Sequence, residues 1–168
     1  TPTGRRIDTS VERAPWADDL PSLLAPSVLA AEDLSGFGTQ GAVLVRFSAP
    51  VSAVPATVDE SLEGPWMLVD LESGERVPFA AQSLEDGLTA LLSPLRPLAR
   101  GTDHAFVLTT EVAADDGGCV APAPATQQLL YGDEALADPL FAEAAPRYRQ
   151  AVEDLGLQPE QVSALTVY

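Results

Sequence analysis

The chain has 168 residues, 46% of them apolar, with 25 acidic against 9 basic side chains and a formal net charge of −16. That length supports one domain with an elaboration, and a core that needs neither metal nor disulfide staples. The negative field excludes direct binding to nucleic acid or to an anionic membrane surface, and with no run of 18 or more apolar residues no membrane insertion is expected.

Residues 1–40 are rich in Pro, Asp and small residues, and Pro15, Pro21 and Pro26 interrupt any long helix. Ser27 can cap a short helix that Gly36 ends, and the region is expected to be an irregular arm packing along the domain. The character changes at Gly41. Residues 42–48 read as a strand with Val43, Val45 and Phe47 on one face. Residues 66–71 form a second strand, and Glu72-Ser73-Gly74-Glu75 a hairpin turn with Gly supplying positive φ. Residues 76–81 return as a third strand, which Pro78 assigns to an edge or a bulge. Glu85-Asp86-Gly87 is the next turn, and residues 88–92 and 104–110 are the fourth and fifth strands, joined by a crossover. Strands at this spacing, with turn chemistry between them, predict a β-sandwich.

A loop follows at Asp115-Asp116-Gly117-Gly118, then a stiff Ala121-Pro122-Ala123-Pro124 spacer. Phe141, Ala144, Ala145, Tyr148, Val152 and Leu155 recur at helical spacing and make one apolar stripe. That stripe is expected to cover an open end or face of the sandwich, with a partner-binding face as the alternative. Gly156 suits the helix end and Pro159 the first turn of a second short helix. The chain then re-enters the sheet at residues 165–168.

Chemistry-bearing patterns are few. Cys119 is alone, so no internal disulfide is possible. His104 is the one histidine; at a strand start it reads as structural, and no Gly-x-Ser-x-Gly elbow accompanies it. One His and one Cys do not make a zinc site, and no phosphate-cradling motif occurs. The carboxylates cluster at Asp18-Asp19, Asp59-Glu60-Glu63, Asp70-Glu72-Glu75 and Asp115-Asp116. Solvated surface is the plain reading of each. Calcium is the one metal these loops suit, and Asp115 and Asp116 are its candidates, without the EF-hand spacing. Trp16 and Trp66 read as packing residues, with a carbohydrate platform as the alternative. Arg supplies every basic residue, and Lys and Asn are absent. GC-rich codon usage accounts for this, with high-salt adaptation as the alternative.

Three segments carry a family resemblance. Val45-Arg46-Phe47-Ser48-Ala49-Pro50-Val51 is similar to the opening strand of bacterial immunoglobulin-like domains of the surface-layer-protein type. The run from Pro97-Leu98 through Gly101-Thr102 into residues 104–108 resembles their late motif, and Asp115-Asp116-Gly117-Gly118 their Asp/Gly loop. His104 stands where such modules usually carry Tyr, and about 40 residues, largely helical, precede the last strand. That longer form resembles modules that precede hydrolase-type domains in exported proteins.

The resemblance implies a mostly β fold: an immunoglobulin-like β-sandwich of about seven strands. An arm over residues 1–40 precedes the sandwich at 41–168, which holds a helical insertion at about 125–160. It implies a non-catalytic structural or accessory module of a larger exported or cell-surface bacterial protein, with a neighbouring domain of the same polypeptide as partner. The location is secreted or cell surface, although Thr1-Pro2-Thr3-Gly4-Arg5-Arg6 opens no signal peptide. No cofactor is expected beyond calcium. The first alternative is a binding module for carbohydrate, protein or calcium. The second is part of a secreted hydrolase of the lipase or esterase type, its catalytic domain lying downstream.

Overall fold

The computed structural model describes residues 39–84, 87–131 and 139–168. The chain divides into two units, Thr1–Gly38 and Thr39–Tyr168. The expected arm up to residue 38, with its short helix and Trp16, and the turn residues Glu85 and Asp86 lie outside the described residues. Along the second unit run β1 (Val43–Arg46), α1 (Val58–Glu63), β2 (Trp66–Asp70), β3 (Phe79–Ser83), β4 (Thr89–Pro94) and β5 (His104–Thr109). Then come α2 (Pro124–Tyr131), α3 (Pro139–Asp154), a 3₁₀ turn (Pro159–Gln161) and β6 (Val162–Val167).

Among the described residues, six strands form two antiparallel three-stranded sheets, in the orders β1-β4-β3 and β2-β5-β6. One apolar cluster draws on both: Val45, Phe79, Ala90 and Leu92 from the first, Trp66, Leu68, Phe106 and Leu108 from the second. Period-two alternation explains the membership, because every second residue of a strand faces the same way. The rings interlock, with Phe47 edge-on to Trp66 at 5.8 Å and Trp66 tilted on Phe106 at 6.3 Å. Burying a side chain of this class stabilises the fold by about 1.5–3 kcal/mol.

The residues between those positions serve a second cluster. Met67, Val69, Ala105 and Val107 face away from the first core and pack with Leu130 of α2 and Ala151 and Val152 of α3. The β2-β5-β6 sheet is therefore buried on both faces, which is why β2 and β5 read as unbroken apolar runs and not as alternating ones. Of the stripe expected from 141 to 155, Tyr148, Val152 and Leu155 cover this face, with Ala151 beside them. Pro146 sits inside α3 on its exposed side.

β6 changes parity in mid-course. Leu108 pairs with Ala164 but Thr109 pairs with Val162, leaving Ser163 as the extra residue of a bulge. Val162, Leu165 and Val167 can then all serve the helical face, while Ala164 and Tyr168 serve the other. Ser163 is held by its Oγ donating to Val120 O at 2.6 Å.

The third strand departs from the expected span of 76–81. Asp70 N donates to Glu75 O and Val77 N to Leu68 O, so residues 75–77 pair with β2. Past Pro78 the chain joins the other sheet, where β3 pairs with β4. Pro78 marks the switch between sheets because it has no N–H for a central ladder. Helix α1 was not expected. Thr57 caps it by accepting from Glu60 N at 3.2 Å, and Glu60 Oε2 accepts from Ala56 N at 2.7 Å; a Thr-x-x-Glu start is its sequence signal.

Candidate functional site

Two places gather polar groups. The first is the end of the β2-β5-β6 sheet where β2 finishes, β5 begins and β6 finishes. Asp70 Oδ1 accepts from Glu72 N at 2.9 Å and Ser73 N at 3.1 Å, forming an Asx turn that opens the hairpin. Its Oδ2 lies 3.7 Å from His104 Nε2. Burial alone would raise the Asp70 pKa; the amides of Ser73 and Glu72, with the imidazole of His104 beside it, outweigh it and hold the carboxyl below its ordinary value. His104 is 3% exposed, and its ring stacks on Tyr168 at 6.3 Å. Burial raises the Tyr168 phenol. Backbone bonds in both directions join His104 and Tyr168, at 2.8 and 3.0 Å.

At the same end, residues 95–103 cross from β4 to β5. Leu98 is buried in the core between the sheets. Gly101 has φ +76°, and Thr102 Oγ1 donates to Ala99 O at 3.3 Å. Asp103 receives two bonds from the Arg147 guanidinium of α3, at 2.6 and 3.1 Å. A shallow groove lies beside this pair, lined by Leu71, Glu72, Asp103, Arg147, Gln150 and Asp154.

The second place is the opposite end, where the Asp/Gly loop lies. Ala113 bridges to Cys119, Ala114 N donates to Gly118 O, and Gly117 takes φ +82°. Asp115 and Asp116 are exposed. Asp115 N donates to Pro50 O, and Asp116 Oδ1 accepts from Gly118 N at 2.9 Å. One of the two calcium candidates is thus engaged in closing its own turn. Among the described residues no three His, Cys, Asp or Glu side chains gather as a metal would require.

The remaining sequence candidates are dispersed. Trp66 is 2% exposed inside the core, so its faces meet Phe47 and Phe106 and not a sugar. Cys119 is exposed in the Asp/Gly loop, at the end of the unit away from His104. Asp59 and Glu60 stand in the first turn of α1, where carboxylates favour the helix dipole. Sequence reasoning missed the Asp70–His104 pairing. Its signal was a polar residue at the end of one apolar strand and the start of the next, which antiparallel register brings face to face.

No family model matches the chain, and no curated protein matches it. Among solved structures it is similar to domains 1–6 of the surface layer protein SbsC and to the S-layer protein rSbsC(31-844). Each comparison gives a TM-score of 0.37 and 14% identity, over 62% of this chain and 16% of that one. The chain thus spans about 16% of the length of the structures it matches, and a likeness at that TM-score assigns no role. Among the described residues no helix is long and apolar enough to cross a membrane.

Proposed function

We propose that the chain is a non-catalytic accessory module of a larger exported or cell-surface bacterial protein. Its two sheets form an immunoglobulin-like sandwich that spaces or orients a neighbouring domain. The observation that carries this reading is where the chemistry-bearing side chains are spent. His104 is buried against Asp70 and Tyr168, Asp70 and Asp116 cap their own turns, and buried Ser61 accepts from Phe79 N. The segments that resemble the family are likewise used to build the fold. Leu98 fills the core, Gly101 turns the crossover, and residues 104–108 make the central strand of a doubly covered sheet.

The test uses the polypeptide that carries the chain. Each of His104→Gln, Asp115→Asn, Asp116→Asn and Cys119→Ser is expected to leave any activity assayed for it within about twofold. A loss beyond about tenfold, in a variant whose thermal unfolding is unchanged, contradicts the reading.

A further inference from the structure

The first sheet turns an apolar face to water. Val43, Val45, Phe79, Ala90 and Leu92 point into the core between the sheets, so their neighbours along each strand point outward. These are Leu44 and Arg46 on β1, Thr89, Leu91 and Ser93 on β4, and Ala80 and Gln82 on β3. Leu44 pairs with Leu91, and Leu91 with Gln82 across the next ladder, close enough for their side chains to meet. Leu84 and Leu95 continue the period past the strand ends, where Leu84 N donates to Thr89 O and Leu95 N to Pro78 O.

Two properties distinguish this face. An antiparallel sheet with one buried face ordinarily shows polar side chains on the other. Here Leu44 is 65% exposed, Leu95 53% and Leu84 37%. Among the described residues five large apolar side chains are exposed, and these are three of them. The outward positions also hold no carboxylate, although the chain has 25 acidic residues. Their one charge is Arg46, on the edge strand β1. The helical layer covers the other sheet.

We infer that this face is a self-association surface, on which a second copy of the chain seats through Leu44, Leu91 and Leu95. The inference goes beyond the accessory reading and stands without it. Charge selects the occupant. With a net charge of −16, two copies repel on most approaches, and contact through acidic surface strips water from carboxylates. Joined by these faces, two copies bury apolar groups and bring no carboxylates of the faces together. Arg46 lies at the rim because β1 is an edge. Its stem covers apolar surface while its guanidinium stays in water, within the negative field of the other copy.

Area sets the strength. Three strands about 4.8 Å apart, and seven positions from Thr89 to Leu95 at about 3.4 Å each, give roughly 340 Å². A stable interface buries about 800 Å² per partner. The association is therefore weak and reversible, and it strengthens as salt screens the repulsion between copies.

Sedimentation equilibrium of the full chain, from about 10 μM to about 1 mM, in about 0.05 M and about 1 M sodium chloride, tests it. The average mass is expected to be that of a monomer at the dilute end and to rise toward that of a dimer, sooner in high salt. Leu44→Glu is expected to stay monomeric throughout. Val58→Glu, at an exposed apolar position on α1, is expected to associate as the unmodified chain does. Should Leu44→Glu shift thermal unfolding, Leu95→Glu, on the bend past β4, decides in its place. An unmodified chain that stays monomeric at the concentrated end overturns the inference. If that monomer also shields Leu44 and Leu95 from a soluble paramagnetic probe, the face is covered from within the chain. Undiminished association of the Leu44→Glu chain overturns it too. So does association that high salt abolishes, or that Val58→Glu removes as fully as Leu44→Glu.

Discussion

Replacing Val152 by alanine tests whether the helical layer belongs to the same cooperative unit as the core between the sheets. Val152 is 3% exposed on α3 and packs in the cluster that includes Met67, Val69, Ala105 and Val107. The change removes two carbon groups, about 1.6 kcal/mol at ~0.8 each. A residual cavity of roughly 40 Å³ adds about 1 kcal/mol at ~24 cal/mol per Å³. The expected loss is about 2.5 kcal/mol, which a urea slope of ~2 kcal/mol/M turns into a midpoint drop of roughly 1.2 M. The reporter is Trp66, buried on the opposite side of the same sheet, in a Trp16→Phe background. Its fluorescence and the far-UV signal are expected to shift together, since one sheet carries both clusters. A loss under about 1 kcal/mol, or a far-UV shift that Trp66 fails to follow, would refute the reasoning.

Asp70→Asn is expected to destabilise the unit most above pH 4. The folded carboxyl lies below its usual 3.8, so its contribution is full above that value and fades as pH falls through the folded pKa. Urea midpoints of wild type and variant therefore converge as pH falls below 3.8; a gap that widens on acidification contradicts the assignment. Gly101→Ala forces a side chain into φ +76° and is expected to cost about 1–2 kcal/mol by the same assay. Arg147→Ala removes a half-exposed pair to Asp103 and is expected to cost under about 1 kcal/mol, less in high salt. Phe106→Ala, at the centre of the shared core and 2% exposed, is expected to cost about 3–5 kcal/mol and to flatten the cooperative transition.

Much of the fold was legible because burial writes itself into residue order. β1 showed alternation, with Val43, Val45 and Phe47 facing the core. β2 and β5 showed unbroken apolar runs, the signature of strands covered on both faces, and the helical stripe supplied the cover. The misplaced third strand has a definite cause: residues 75–77 complete the hairpin with β2, and only past Pro78 does the chain change sheets. Such a switch depends on partners far away in sequence. The early start of β6, and its change of face at Ser163, escaped for the same reason, since a bulge suspends the period that reveals a strand. α1 escaped because its carboxylates were counted as surface charge, although Thr57 and Glu60 spell a helix start. At the candidate sites, the exposure of Asp115 and Asp116 followed from turn position. The meeting of His104 with Asp70 did not, because it needs the register of two strands.

The central claim is that this chain supports its neighbour and does no ligand chemistry of its own. Calorimetric titration of the full chain with calcium chloride, and then with a glycan panel, tests it most directly. The account predicts dilution heats alone in both. A saturable isotherm for calcium that disappears in Asp115→Asn and Asp116→Asn, or one for any glycan, would contradict it.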